Sequence, residues 1–208
     1  GQLDLYPEGG AEGGYKSMLE KAKAAQNLTM EYRLMMGLDN MGAPLETAKM
    51  FSPEDLKLAS VRTLVWMGKV AEKYGAEEGR KAYDEALSRG PSEYTVDALF
   101  GEASLEEHAT NWDKVLEIYQ RILDEFPSDS RASKAMISLG DALSKLGKNS
   151  DAFEKYENVL KSPWSNNAKA EALYKMGLSS LAENKTDEAI MYFERCYLGY
   201  GSSLDWTG

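Results

Sequence analysis

The 208-residue chain contains one cysteine and one histidine. A single Cys excludes an internal disulfide framework and any multi-cysteine metal site. A metal centre would have to gather Glu and Asp from scattered places, and a catalytic His would need a nucleophile or acid that no motif supplies. Long apolar runs are also missing. Runs such as Leu64-Val65-Trp66-Met67 fall far short of the ~18–20 residues a membrane helix needs. Positive charge is scarce: Lys and Arg total 24 against 34 Asp and Glu, a net charge of −10. That balance opposes a polyphosphate partner, whose affinity depends on clustered cations. No segment alternates with period 2, so strands are not expected. These shortages leave a non-enzyme, with no cofactor, no metal, no nucleic-acid partner and no membrane insertion in this segment. Its 43% apolar residues nonetheless suffice for a core.

Residues 1–14 carry Pro7 and the glycines Gly9, Gly10, Gly13 and Gly14, which suits an irregular lead-in. The glycines have neither the spacing nor the following Lys-Ser/Thr of a phosphate loop. The start Gly1-Gln2-Leu3, without Met, is not expected to be a natural translation start. Tyr15 to Ala25 and Met30 to Leu38 read as helices, Asp39 to Pro44 as a turn, and Leu45 to Met50 as a short helix. Ser52-Pro53-Glu54-Asp55 is a strong helix start: a capping hydroxyl, a Pro at the first position and acids at the positive dipole end.

Laid over itself, the chain repeats at a lag of 37. Ala98, Ala135 and Ala172 align, then Leu99, Met136 and Leu173, then Ala103, Gly140 and Gly177. Val115, Ala152 and Ala189 follow, with Tyr119, Tyr156 and Phe193, and Ile122, Val159 and Cys196. An earlier unit fits through Leu64, Gly68, Gly79, Tyr83, Ala86 and Pro91. Small residues let two helices approach closely and the aromatic fills the space left over. Gly147 and Asn184 suit a left-handed helix end, and Asn149 and Thr186 stand where the next helix needs a cap. Each unit is then an antiparallel helix pair whose outer face a neighbour must cover.

This pattern resembles the tetratricopeptide repeat, over about residues 58–201. The resemblance implies an all-α fold, a right-handed superhelical solenoid of antiparallel helix pairs. Four repeats are expected, at about 58–91, 92–127, 128–164 and 165–201. Residues 15–57 are expected to be a degenerate repeat or capping helices, and residues 202–208 the start of a further repeat or a tail, so that the chain is a slice of a longer array. The period and the Phe126-Pro127-Ser128 junction look like the long repeats of bacterial envelope proteins, such as the Tol-Pal-associated and outer-membrane-assembly families. That likeness favours a periplasmic or envelope location over the cytoplasm.

The resemblance also implies a function: a non-catalytic scaffold that binds a peptide or partner protein on the concave face, lined by the first helices. Helical spacing puts there Val65, Lys69 and Lys73; Phe100, Ser104 and His108; Ile137, Asp141 and Lys145; and Tyr174, Leu178 and Ala182, with Arg62 and Lys134 at the rim. The Lys-Asn-Arg clamp of chaperone-binding relatives is not expected, since Val65, Phe100, Ile137 and Tyr174 run through its place. The alternative is a structural spacer or self-assembly segment, associating through terminal or Met-rich surfaces. Other features have plainer readings. Tyr83, Tyr119, Tyr156 and Phe193 belong to the packed stripe, Cys196 is a buried thiol and His108 a surface imidazole. Met30, Met35, Met36, Met41 and Met50 pack rather than bind copper. Asn27-Leu28-Thr29 is a glycosylation triplet of a kind that arises by chance.

Overall fold

The computed structural model describes residues 10–42, 53–73 and 77–200. Among them are eleven helices and no strand: α1 (Gly10–Ala24), α2 (Leu28–Asn40), α3 (Pro53–Leu58), α4 (Val61–Lys73), α5 (Glu77–Ser88), α6 (Thr95–His108), α7 (Trp112–Glu125), α8 (Ala132–Lys145), α9 (Asn149–Lys161), α10 (Asn166–Ala182) and α11 (Thr186–Tyr200). The chain divides into two compact units, residues 1–102 and 103–208. The expected helix at 45–50, the Ser52 cap, Met50 and the segment 202–208 lie outside the described residues.

In the first unit α1 packs on α2, and α4 on α5. The helix α1 starts at Gly10 rather than after Gly14. Each glycine costs roughly 1 kcal/mol of helix propensity, but docking on α2 outweighs it, with Leu19 and Ala22 buried and the Tyr15 ring lying over Gly37. The triplet at 27–29 is a helix start: the Asn27 side chain accepts a hydrogen bond from the Met30 N–H at 3.1 Å. The helix begun at Pro53 is short. Ser60 restarts the chain as the cap of α4, accepting from the Thr63 N–H at 3.2 Å.

In the second unit α7 packs on α8, α8 on α9, α9 on α10 and α10 on α11, while the first helices α8 and α10 also touch. The α6–α7, α8–α9 and α10–α11 turns all use one backbone device. Thr110, Gly147 and Asn184 take φ of 57°, 73° and 61°. The next N–H then reaches back to the carbonyls of Glu106, Leu143 and Ser180, each at 2.9 Å. This is the left-handed helix end expected of Gly147 and Asn184. The α1–α2 turn repeats it, with Gln26 at φ 51° and the Asn27 N–H bonded to the Ala22 carbonyl at 2.9 Å. Asn149 does not cap: it is the first residue of α9, and its amide donates to Glu183 of the next turn at 2.9 Å.

The aligned small and aromatic residues form the core. Ala98, Ala135, Ala172, Val115, Ala152, Ala189, Ile122 and Val159 are fully buried. The Tyr83, Tyr156 and Phe193 rings press on Gly68, Gly140 and Gly177, so close that a Cβ at any of the three glycines would overlap the ring. Tyr83 also lies on Gly101. Each tyrosine sends its hydroxyl to a first-helix carboxylate: Tyr83 to Glu72 at 3.4 Å, Tyr119 to Glu107 at 2.9 Å and Tyr156 to Asp141 at 2.8 Å. The ladder is therefore structural. Cys196 is buried, with its thiol donating to the Ala170 carbonyl, and desolvation raises its pKa.

Candidate functional site

The first helices of the second unit offer a row of side chains built by that packing. His108, Lys134 and Lys145 are exposed, and Ser104 and Asp141 are half-buried. Asp141 is held from two sides. Tyr156 donates to Oδ1 at 2.8 Å, and the Lys175 ammonium of α10 sits 2.7 Å from Oδ2. The carboxylate thus pins α8 to both α9 and α10, and burial together with the Asp141 charge pushes the Tyr156 phenol well above its ordinary range. Tyr119 is raised in the same way, by burial and then by Glu107.

Two apolar members of the expected groove are not on the surface. Ile137 is 2% exposed and Val65 is 4% exposed. A helical wheel gives a direction but not what stands there; for α8, which carries Ile137, the next first helix α10 packs directly on it. Tyr174, one repeat after Ile137, is 41% exposed, as is Leu178, one repeat after Asp141. In the first unit Arg62 and Lys69 are exposed and Phe100 is half-buried, with Lys69 paired to Asp97 at 3.2 Å. The Lys73 side chain lies outside the described residues.

Sequence spacing missed a second surface. Within α9, Phe153 stacks edge-on against Tyr192, 5.7 Å between centroids, and Leu160 packs on the Ala170–Leu173–Cys196 cluster of the following hairpin. One repeat later the same positions are Ile190 and Tyr197, which are 49% and 75% exposed. Leu181, near the end of α10, is exposed too. The signal was present in the 37-residue register, which marks these as positions a neighbour covers.

Among the described residues no three His, Cys, Asp or Glu side chains gather to hold a metal ion. None of the described helices is long and apolar enough to cross a membrane.

Comparisons with known proteins extend this geometry. Solved structures of similar fold include "Crystal structure of MamA", with a TM-score of 0.57 at 15% identity, covering 89% of this chain and 96% of that one. "MamA 41-end from Desulfovibrio magneticus RS-1" gives a TM-score of 0.57 at 14% identity, covering 93% and 97%. At such identities the likeness shows the fold, an all-α array of repeated antiparallel helix pairs. No curated protein matches the chain. The Tol-Pal likeness read from the long period gains no support from these matches. A family model, that of the type VII secretion system (ESX-1) protein EccA1, N-terminal domain, matches residues 15–203, and the chain belongs to that family.

Proposed function

We propose that the chain is a non-catalytic interaction scaffold that receives a segment of another protein along the first helices of its second unit. The observation that carries this is the exposed apolar pair Tyr174 and Leu178 beside a row containing the cation Lys145 and the Asp141–Lys175 pair. Apolar anchors next to polar groups with fixed positions are what a peptide or partner helix needs for affinity and register. The family name directs the choice of partner toward a protein of a type VII secretion system. Val65 and Ile137 have no part in this reading, because they are buried. A photo-crosslinking residue at Lys145, carried by the chain in its own cells, is expected to give discrete adducts with a partner. The same residue at Lys161, exposed on the second helix α9, is expected to give none. Equal adducts from both positions, or none from Lys145, would remove the first-helix surface from consideration.

Self-assembly is a second reading, favoured by Ile190 and Tyr197 standing exposed at positions covered one repeat earlier. A second copy seated there would bury them. Sedimentation at several concentrations should then show an association that Ile190→Lys with Tyr197→Lys abolishes; a monomer throughout excludes it.

A further inference from the structure

The first unit contains a cleft of about 820 Å³ between the α1–α2 turn, the Ala59–Ser60 break and the end of α5. It falls within the roughly 300–1,000 Å³ range of ligand sites, and none of its lining belongs to the first-helix row of the second unit. Its polar lining is rich in donors: Gln26, Asn27, Thr29, Arg33, Ser60 and Thr63. No acidic side chain among the described residues lines it, in a chain whose net charge is −10.

The surroundings sharpen that bias. The C-terminal carbonyls of α3 would turn negative dipole toward this space, but Arg89 covers them. Its guanidinium donates to the Leu56 carbonyl at 2.7 Å, to that of Lys57 at 2.9 Å and to that of Ala59, and is braced by Glu85 at 2.9 Å. The capping residues of α2 and α4, Asn27 and Ser60, both line the cleft, so both helices begin at it. Arg33, exposed one turn into α2, supplies a full charge with a planar two-pronged donor suited to a carboxylate. Apolar lining comes from the Tyr32 ring and from Leu58, which is 72% exposed.

We propose that this cleft binds a carboxylate-bearing peptide segment, with Arg33 taking the carboxylate, the amides of Gln26 and Asn27 the peptide backbone, and Leu58 an aliphatic neighbour. One uncommitted arginine suits a single carboxylate better than a multiply charged phosphate, and the cleft is far larger than one carboxylate alone. The site goes beyond the scaffold reading and stands or falls separately from it.

The probes are three dye-labelled peptides. The first alternates leucine and glutamate and has an amidated end. The second replaces glutamate by glutamine, and the third is the glutamine peptide with a free terminal carboxylate. Fluorescence anisotropy with the full chain should show saturable binding of the first or the third, identifying a side-chain or a terminal carboxylate respectively. The amidated glutamine peptide should bind at least about tenfold more weakly, as should any carboxylate peptide to Arg33→Gln. Arg33→Lys should fall between, while all variants keep the parent's helical melt because Arg33 is exposed. Equal binding of all three peptides overturns the proposal. So does affinity unchanged by Arg33→Gln, or no saturable binding up to about 1 mM.

Discussion

Replacing Gly140 by alanine tests the packing on which both functional readings depend. An ideal Cβ at Gly140 lies 2.5 Å from Cε1 of Tyr156 and 3.0 Å from Cδ1 and Cζ. Carbon atoms settle at about 3.5–4.0 Å, so the ring must retreat by roughly 1 Å. Tyr156 has little freedom to do so: it is buried, and its hydroxyl is tied to Asp141 at 2.8 Å. Overpacking costs about 1–3 kcal/mol, and a displacement this large belongs at the upper end. Alanine's better helix propensity returns about 1 kcal/mol. The net expectation is a loss of about 2 kcal/mol, where an open helix position would instead gain about 1. In a Tyr156→Leu background the ring is gone, and Gly140→Ala should turn neutral or stabilising. The coupling between the two sites is then about 2–3 kcal/mol. Urea unfolding of the four proteins, followed by circular dichroism, measures it. A Gly140→Ala protein as stable as its parent, or more so, would refute the close glycine–ring contact.

Three further outcomes follow from the same architecture. Burial, then the charges of Glu72, Glu107 and Asp141, holds the Tyr83, Tyr119 and Tyr156 phenols protonated above their ordinary range. The unfolded chain releases these protons near pH 10. Stability is therefore full below that pH and falls above it by about 1.4 kcal/mol per pH unit for each tyrosine, to be seen as alkaline unfolding in which these three phenols ionise with the unfolding step; their ionisation near pH 10 in the folded chain would contradict it. Thr110 is β-branched yet holds φ 57°, so Thr110→Gly should raise stability by about 1 kcal/mol, whereas Gly147→Thr should lower it. Leu160→Lys should cost about 2 kcal/mol or more because the next hairpin covers Leu160. Tyr197→Lys, at the equivalent exposed position, should leave the urea midpoint nearly unchanged if the chain is monomeric.

Much of the second unit was legible in the sequence because a repeat writes the same physical requirement several times. One Gly before one Tyr means little, but three small–aromatic pairs at one lag describe a hairpin core. Turn chemistry was legible at Gly147 and Asn184, residues that favour the left-handed conformation. It was invisible at Thr110 and Gln26, where the surrounding hairpins impose a conformation the residue itself disfavours. The groove was half legible. Spacing gives the direction of Val65 and Ile137, but whether solvent or another helix lies that way depends on the neighbouring unit, and their apolar character was the better guide. The cleft around Arg33 could not be read at all. It joins residues of the α1–α2 turn and the start of α2 to the Leu58–Ser60 segment, Thr63 and Arg89, and Arg89 closes α3 from about 30 positions away in the chain.

On the scaffold reading, a partner protein lies along the first helices of the second unit. Hydroxyl-radical footprinting of the chain, free and with its crosslinked or co-purified partner bound, reads this most directly. Protection is expected to centre on Tyr174 and Leu178 on α10 and to extend to Lys145 on α8, with Lys161 on α9 unchanged. Protection confined to the second helices, or absent from Tyr174 and Leu178, would contradict it.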